Sequence, residues 1–192
     1  MVEQRIANPC PSGLLGSIPS EGVFIFKMKS KLQFKPITEF EPGIIFEILS
    51  KSYEELTKLG PEFYKLRKKW KNDDKSAFEN LDTIGKCYFI TCLNNIAIGM
   101  SSYDPRQDPI GIVGDNCILP EFRGHGYGKL QLEEILRRFK ERGFTRAKVS
   151  TGEHPFFRSA QHNYLSVGFH ETRRFKKKPE SKFMDIEYEM EL

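Results

Sequence analysis

The stretch from Asn116 to Leu136, NCILPEFRGHGYGKLQLEEIL, constrains this chain more than any other. A short apolar run ends at Pro120. Arg123 follows, then glycines at 124, 126 and 128. A helix comes next, in which Leu132, Ile135, Leu136 and Phe139 recur at i, i+3, i+4 and i+7. Glycine inside a regular element costs roughly 0.5–1 kcal/mol against alanine, so glycines at alternate positions imply a demand on the backbone itself. Strand, glycine turn and helix together make an anion-binding geometry. The first N–H groups of a helix have no intrahelical partner, and the macrodipole makes that end partly positive. The Arg123 guanidinium adds a charged hydrogen-bond fork. Two better-known phosphate loops are excluded by counting. A Walker loop needs glycine five positions before the Gly128-Lys129 pair, where Arg123 stands, and Ser or Thr where Leu130 stands. A dinucleotide fingerprint that starts at Gly124 and Gly126 needs its third glycine at 129, which is Lys.

The elements around this turn are legible in order. LQFKPI alternates and ends at Pro36, as a first strand. Ile45, Ile48, Leu49 and Leu56 share one helical face up to Gly60-Pro61, and Phe63, Leu66 and Trp70 mark a second helix. KCYFITCL and IAIGMSSY flank Asn94-Asn95 as a hairpin, Asp104 to Pro109 is a loop, and IGIVGDNCIL is the next strand. The helix after the glycines carries Glu133/Arg137 and Glu134/Arg138 pairs in the favourable order and stops at Gly143. RAKVST is a strand. Phe157, Ala160, Tyr164 and Leu165 line one side of a short helix that stops at Gly168. FHETRRF and FMDIEYEMEL close the chain, with Ile186, Tyr188 and Met190 alternating with Glu187 and Glu189, as in an antiparallel strand with one wet face. The order predicts one α/β domain of the α+β type, a mixed and mostly antiparallel sheet of six to seven strands flanked by helices. That domain spans 28–192. Residues 1–27, with NPCPSGLLGSIPSEG, read as a flexible extension, and Met28 as the native start.

Composition removes several classes. The 192 residues suit one core, and a net charge of +4 is too slight for a nucleic-acid partner, which would show a basic stripe. No apolar run approaches the roughly 18 residues of a membrane helix, and no secretory leader is expected. Cys10, Cys87, Cys92 and Cys117 have no zinc-like spacing, so no metal is expected. Free thiols in an apolar setting point to a reducing, cytoplasmic compartment. A homodimer stays open.

ILPEFRGHGYG resembles the Val-x-Pro-Glu-x-Arg-Gly-x-Gly-x-Gly loop of the GNAT acyltransferase superfamily, and AQHNYLSVGF is similar to that family's Ala-x-x-x-Tyr-x-x-x-Gly-Phe through Ala160, Tyr164, Gly168 and Phe169. The element order from about Leu32 to Leu192 matches as well. One departure is the Asn that often stands three residues before the motif Ala; here it is Phe157. The resemblance implies acetyl-CoA as co-substrate. Ile118 and Leu119 would pair with the pantetheine arm through their backbones. The N–H groups of Gly124, His125, Gly126, Tyr127, Gly128 and Lys129 would surround the pyrophosphate beside the Arg123 fork, with His125 and Tyr127 side chains secondary.

It also implies acetyl transfer to an amine by direct attack, which fits the lack of a G-x-S-x-G nucleophile elbow. Tyr164 matches the family tyrosine near the cofactor sulfur. Asp115-Asn116 is a polar pair inside an apolar strand, so one of the two faces the acceptor, with Asp115 either the base or a satisfied structural carboxylate. Glu153 and His154 follow a strand's C-terminal end, where loops line crevices; His154 equally suits a helix start before Pro155. Cys117 reads as buried packing. The acceptor is a small-molecule or peptide amine, and Phe63, Tyr64 and Trp70 with many lysines argue against a polycationic one. The alternative is a CoA-binding regulatory domain without turnover.

Overall fold

The computed structural model describes residues 31–58, 60–176, 179 and 181–192, with the backbone alone at 61–64. The extension 1–27, Met28, Cys10 and the side chains of Phe63 and Tyr64 lie outside the described residues. Seven strands form one sheet: β1 (Leu32–Pro36), β2 (Tyr88–Leu93), β3 (Ile96–Gln107), β4 (Ile110–Ile118), β5 (Arg146–Gly152), β6 (His170–Phe175) and β7 (Asp185–Glu191). Their order is β1-β2-β3-β4-β5-β7-β6, and only β4 and β5 run parallel. The helices are α1 (Ile44–Ser52), α2 (Glu54–Thr57), α3 (Pro61–Glu79), α4 (Tyr127–Glu141) and α5 (Arg158–Ser166). The expected α+β architecture is what the chain adopts.

Each face of the sheet carries its own core. The stripe Leu132, Ile135, Leu136 and Phe139 of α4 packs with Phe89, Tyr103, Val113 and Tyr164. Ile45, Ile48 and Leu49 of α1 and Trp70 of α3 pack with Ile90, Met100, Cys117 and Leu119 on the other face. Cys87, Cys92 and Cys117 are buried free thiols. No helix of the described residues is long and apolar enough to cross a membrane.

Five local expectations are corrected. The helix through Leu56 breaks at Tyr53 (φ −113°, ψ 17°) into α1 and α2, because Leu56 still reaches the core only after a change of axis. The loop at Asp104 is strand through Gln107, held to β4 by an irregular register that ends in Gln107↔Ile110. Arg137 pairs with Glu134 and Glu141, while Glu133 lies 3.9 Å from Lys129, so the Glu133/Arg137 pair is absent. Leu165 is 54% exposed, and Glu187 is buried rather than wet, since Lys148 and Arg173 neutralise it across neighbouring strands.

Two irregularities position the site. β4 and β5 pair only at Ile110↔Arg146, Gly111↔Ala147 and Ile112↔Lys148. Beyond that, β4 continues beside β3 to Ile118, and β5 continues beside β7 to Gly152, so the parallel pair splays open. In β4, Ser101↔Asn116 and Tyr103↔Val113 set three residue steps against two, a bulge at Gly114-Asp115. The bulge inverts the strand's alternation. Val113 faces α4, but Cys117 and Leu119 face α1 and α3.

Candidate active site

A cleft of about 640 Å³ opens where the strands part. Its walls are Asn116, Cys117 and Ile118 of β4, the glycine turn, the first turn of α4, Tyr53, and residues 156–160, 162 and 163 at the start of α5. Neighbouring strand residues point their N–H groups to opposite sides. Leu119 N–H bonds the Ile98 carbonyl (2.8 Å), so Ile118 N–H faces the splay. The Leu119 carbonyl is also taken, by Phe122 N–H (2.9 Å). Leu119 thus has its N–H spent within the sheet, and its side chain lies in the core.

The glycine turn meets the requirements of an anion site. Gly124 (φ +80°) and Gly126 (φ +81°) are left-handed, a conformation that costs other residues about 1–2 kcal/mol. A Cβ on either would meet nothing within 4 Å, so their bare faces look into open space along the cleft. The N–H groups of residues 124–128 have no backbone partner among the described residues; bonding within α4 starts with Lys129 N–H and Leu130 N–H to Gly126 O. A Cβ on Gly128 would lie 3.0 Å from Asn163 Nδ2, so glycine here lets α5 lean on the first turn of α4. Five adjacent unspent donors at a helix start suit a pyrophosphate. Lys129 and Tyr127 line the same cleft. His125 is exposed and lies outside the wall, its ring 5.8 Å from that of Tyr127.

The Arg123 fork points elsewhere than expected. Its Nε donates to Ile118 O (3.0 Å), and its terminal NH2 donates to Ser52 O (2.6 Å) at the end of α1. A cation at a helix C-terminus is favourable. Arg123 therefore ties α1 to the end of β4 and brings Tyr53 to the cleft, and its guanidinium lies 5.9 Å from the Phe156 ring.

The bulge separates the polar pair of β4. Asp115 lies on the α3 face, 3.4 Å from Lys69 Nζ, outside the cleft wall. Burial works against the Lys69 ammonium, but Asp115 and Asp73 outweigh it and raise its pKa. Asn116 faces α4, where its Oδ1 accepts from Gln131 Nε2. Tyr164 is 4% exposed and packed against Tyr188 and Phe169, and it is not part of the cleft wall. Burial pushes the Tyr164 phenol well above its ordinary range. Cys117 lines the cleft, but burial raises its thiol to about 12, which removes it as a nucleophile.

Glu153 and His154 are drawn away from the cleft. Glu153 pairs with Arg174 (3.1 Å) and accepts Met184 N–H (3.3 Å). His154 Nδ1 accepts Phe156 N–H (3.1 Å) and caps the short turn Pro155–Phe157. Sequence reasoning missed Tyr53, Gln131, Phe156 and Asn163. Tyr53 stacks on Trp70 (5.5 Å) and Phe156 (5.7 Å), and its hydroxyl donates to Asn116 O (3.4 Å). The signal for Gln131 was available, since it stands four residues before Ile135 on the buried stripe of α4.

The cleft thus lies where two parallel strands part beside a glycine turn at the start of a helix. Residues 45–169, more than half of the chain, match the acetyltransferase (GNAT) family, and the chain belongs to it. No curated protein matches by sequence. The fold is shared with a protein assigned to the GNAT acetyltransferases of Desulfovibrio desulfuricans (TM-score 0.65, 13% identity, 84% of this chain and 98% of that one). It is shared with a GNAT acetyltransferase of Bacillus anthracis (0.62, 18%, 85% and 96%). A chain of the NatC complex bound to Gag peptide and CoA is also similar (0.59, 18%, 84% and 99%). Among the described residues, no group of three or more His, Cys, Asp or Glu is placed to hold a metal ion.

Proposed function

We propose that the chain is an N-acetyltransferase that uses acetyl-CoA and a small-molecule or peptide amine, by direct attack. The observation that carries this is the splay of β4 from β5 with five unpartnered N–H groups at its mouth. Family membership and the CoA held by the NatC relative support it. Acetyl-CoA supplies an acetyl group activated as a thioester. The N–H groups of 124–128 hold the pyrophosphate, Ile118 N–H holds a pantetheine amide, and Lys129 and Tyr127 flank them.

Tyr164 hydrogen-bonds the departing sulfur. A phenol of ordinary pKa near 10 would give its proton to a thiolate near 8.5 at a cost of about 2 kcal/mol. Burial increases that cost, so Tyr164 works as a neutral donor rather than a full acid. Asp115, paired with Lys69 beside the splay, takes the proton that the acceptor ammonium must lose before its nitrogen attacks, directly or through water. Tyr53 and Phe156 form the aromatic wall beside it.

The test is CoA release from acetyl-CoA with a panel of small amines, peptide N-termini and lysine peptides, after binding is shown by thermal shift. Turnover with any amine supports the proposal. Saturable acetyl-CoA binding with no acceptor consumed supports the CoA-binding regulatory alternative.

A further inference from the structure

Aromatic rings form one row beside the splay. Gly152, at the end of β5, leaves room for the Phe157 ring, since a Cβ there would lie 3.0 Å from it. Phe157 meets Phe156 edge to face (5.2 Å), Phe156 meets Tyr53 (5.7 Å), and Tyr53 stacks on Trp70 of α3 (5.5 Å). The row thus runs from the end of β5 to α3, and Phe157, Phe156 and Tyr53 line the cleft. Phe156 and Phe157 belong to neither core, and both are half-buried. Two large rings that no core uses, beside an opening, are apolar surface for a ligand to cover. The row ends on the α1 and α3 face, which is also the face of Asp115, whereas the glycine turn leads into α4 on the other. Tyr53 ties the row to β4 through its bond to Asn116 O (3.4 Å), the residue after Asp115.

Charge narrows the ligand further. The cleft wall includes Arg123, Lys129 and Arg158 and, among the described residues, no Asp or Glu. Asp115, beside the splay, already faces Lys69 (3.4 Å), whose ammonium also pairs with Asp73. An acceptor ammonium that gives its proton to Asp115 is neutral when it reacts. A second ammonium on the same molecule stays charged, and it meets the three cations of the wall with no carboxylate there to offset them.

We propose that the acceptor is a primary amine joined by a short alkyl link to an aromatic ring, with no second positive charge. This deepens the acetyltransferase reading above and rests on it. The ring packs against Phe156 and Tyr53, and the nitrogen lies toward Asp115. The ammonium loses one proton to Asp115, its nitrogen bonds the thioester carbon, and the carbon–sulfur bond breaks. The nitrogen then sheds a second proton, the CoA thiolate takes one up, and one proton in all leaves to solvent. Lys69 is a specificity residue, because it occupies the carboxylates that a diamine would otherwise use. A free arylalkylamine and a peptide that starts with Phe both offer this chemistry.

The experiment compares kcat/KM of the full chain, with acetyl-CoA, for 2-phenylethylamine, butylamine and 1,4-diaminobutane, and for peptides that start with Phe or with Lys. 2-Phenylethylamine is expected about tenfold above butylamine, and 1,4-diaminobutane about tenfold below it. A Phe peptide that outranks 2-phenylethylamine and the Lys peptide supports a peptide source of the ring; 2-phenylethylamine above the Phe peptide supports a free amine. Either ranking of the three amines reversed or absent overturns the proposal. Phe156→Leu keeps apolar bulk and removes the ring, and should bring 2-phenylethylamine to within about twofold of butylamine. Lys69→Met should raise the ratio of 1,4-diaminobutane to butylamine about tenfold. Each is a ratio within one variant, so the general loss of activity that a merely structural role would cause cancels. If Phe156→Leu does not fold, Tyr53→Leu takes its place. If no amine is consumed, the acetyltransferase reading fails, and calorimetry on the CoA-saturated protein decides the ring site. 2-Phenylethylamine bound about tenfold more tightly than butylamine then supports it, and equal or no binding overturns it.

Discussion

At the scale of single residues, Asp74 does what α1 cannot do for itself. Gly43 precedes that helix and supplies no side-chain cap. The buried Asp74 carboxylate on α3 instead accepts N–H bonds from Gly43 (2.8 Å), Ile45 (3.0 Å) and Phe46 (3.3 Å). A carboxylate at a helix N-terminus also meets the positive end of the macrodipole. Asp74→Ala is expected to lower unfolding stability by about 2–3 kcal/mol, since it removes a cap and strands buried donors. Urea denaturation measures this, and a change below the fitting error would show that water replaces the carboxylate. Asp74 sat in the sequence as one of a Lys-flanked Asp pair on a helix, with nothing local to tell it from Asp73. Its role comes from the packing of α3 on α1.

At the scale of elements, the turn into α4 and the strand pair β5/β7 each make a separate demand. Gly126→Ala places a Cβ in open space but keeps a left-handed residue, a strain of about 1–2 kcal/mol. The fold should survive by circular dichroism, with acetyl-CoA affinity reduced about tenfold if the turn relaxes and its N–H groups diverge. Unchanged affinity in calorimetry would take the turn out of the binding site. On β7, Glu187 is buried between Lys148 (2.9 Å) and Arg173 (2.8 Å). Burial opposes its charge, but the hydrogen bonds from Arg173 and Lys148 outweigh that and lower its pKa. A carboxyl with a lowered folded-state pKa stabilises the fold above its unfolded value, near 4.3, and that contribution is lost as the pH falls through the folded value. Glu187→Gln should therefore be less stable than the native chain at pH 7 and approach it below about pH 4. Parallel loss at both pH values would show that packing, not charge, is the source.

At the scale of the whole molecule, the two cores meet only through the sheet, and the ligand cleft lies where that sheet is incomplete. A ligand that bridges β4, α4 and α5 should stabilise the native state as a unit. Acetyl-CoA at about 100 times its dissociation constant adds about 2.7 kcal/mol, visible as a single shifted thermal transition. A transition that splits instead of shifting would mean that the two faces melt independently. The succession of elements along the chain, the two long helices and the glycine turn were legible because each depends on local periodicity and on residues with special backbone freedom. The bulge was not, because Gly114-Asp115 becomes an insertion only against the register of β3. The break at Tyr53 was hidden for a similar reason, since the apolar spacing continues through it.

The chain's order of residues was enough for the sheet-and-helix architecture, the family resemblance and the glycine turn into α4. These rest on periodicity, glycine and the unpaired first turn of a helix, all local properties. Tertiary structure alone decided where the charged and polar groups went. The bulge sends Asp115 to Lys69 and Asn116 to Gln131. The end of α1 captures the Arg123 fork that an isolated loop would offer to phosphate. His154 caps a turn, and Glu153 holds the β6/β7 side. Side-chain partners come from elements far apart in sequence, and a buried polar group goes to whichever partner spares it an unsatisfied bond.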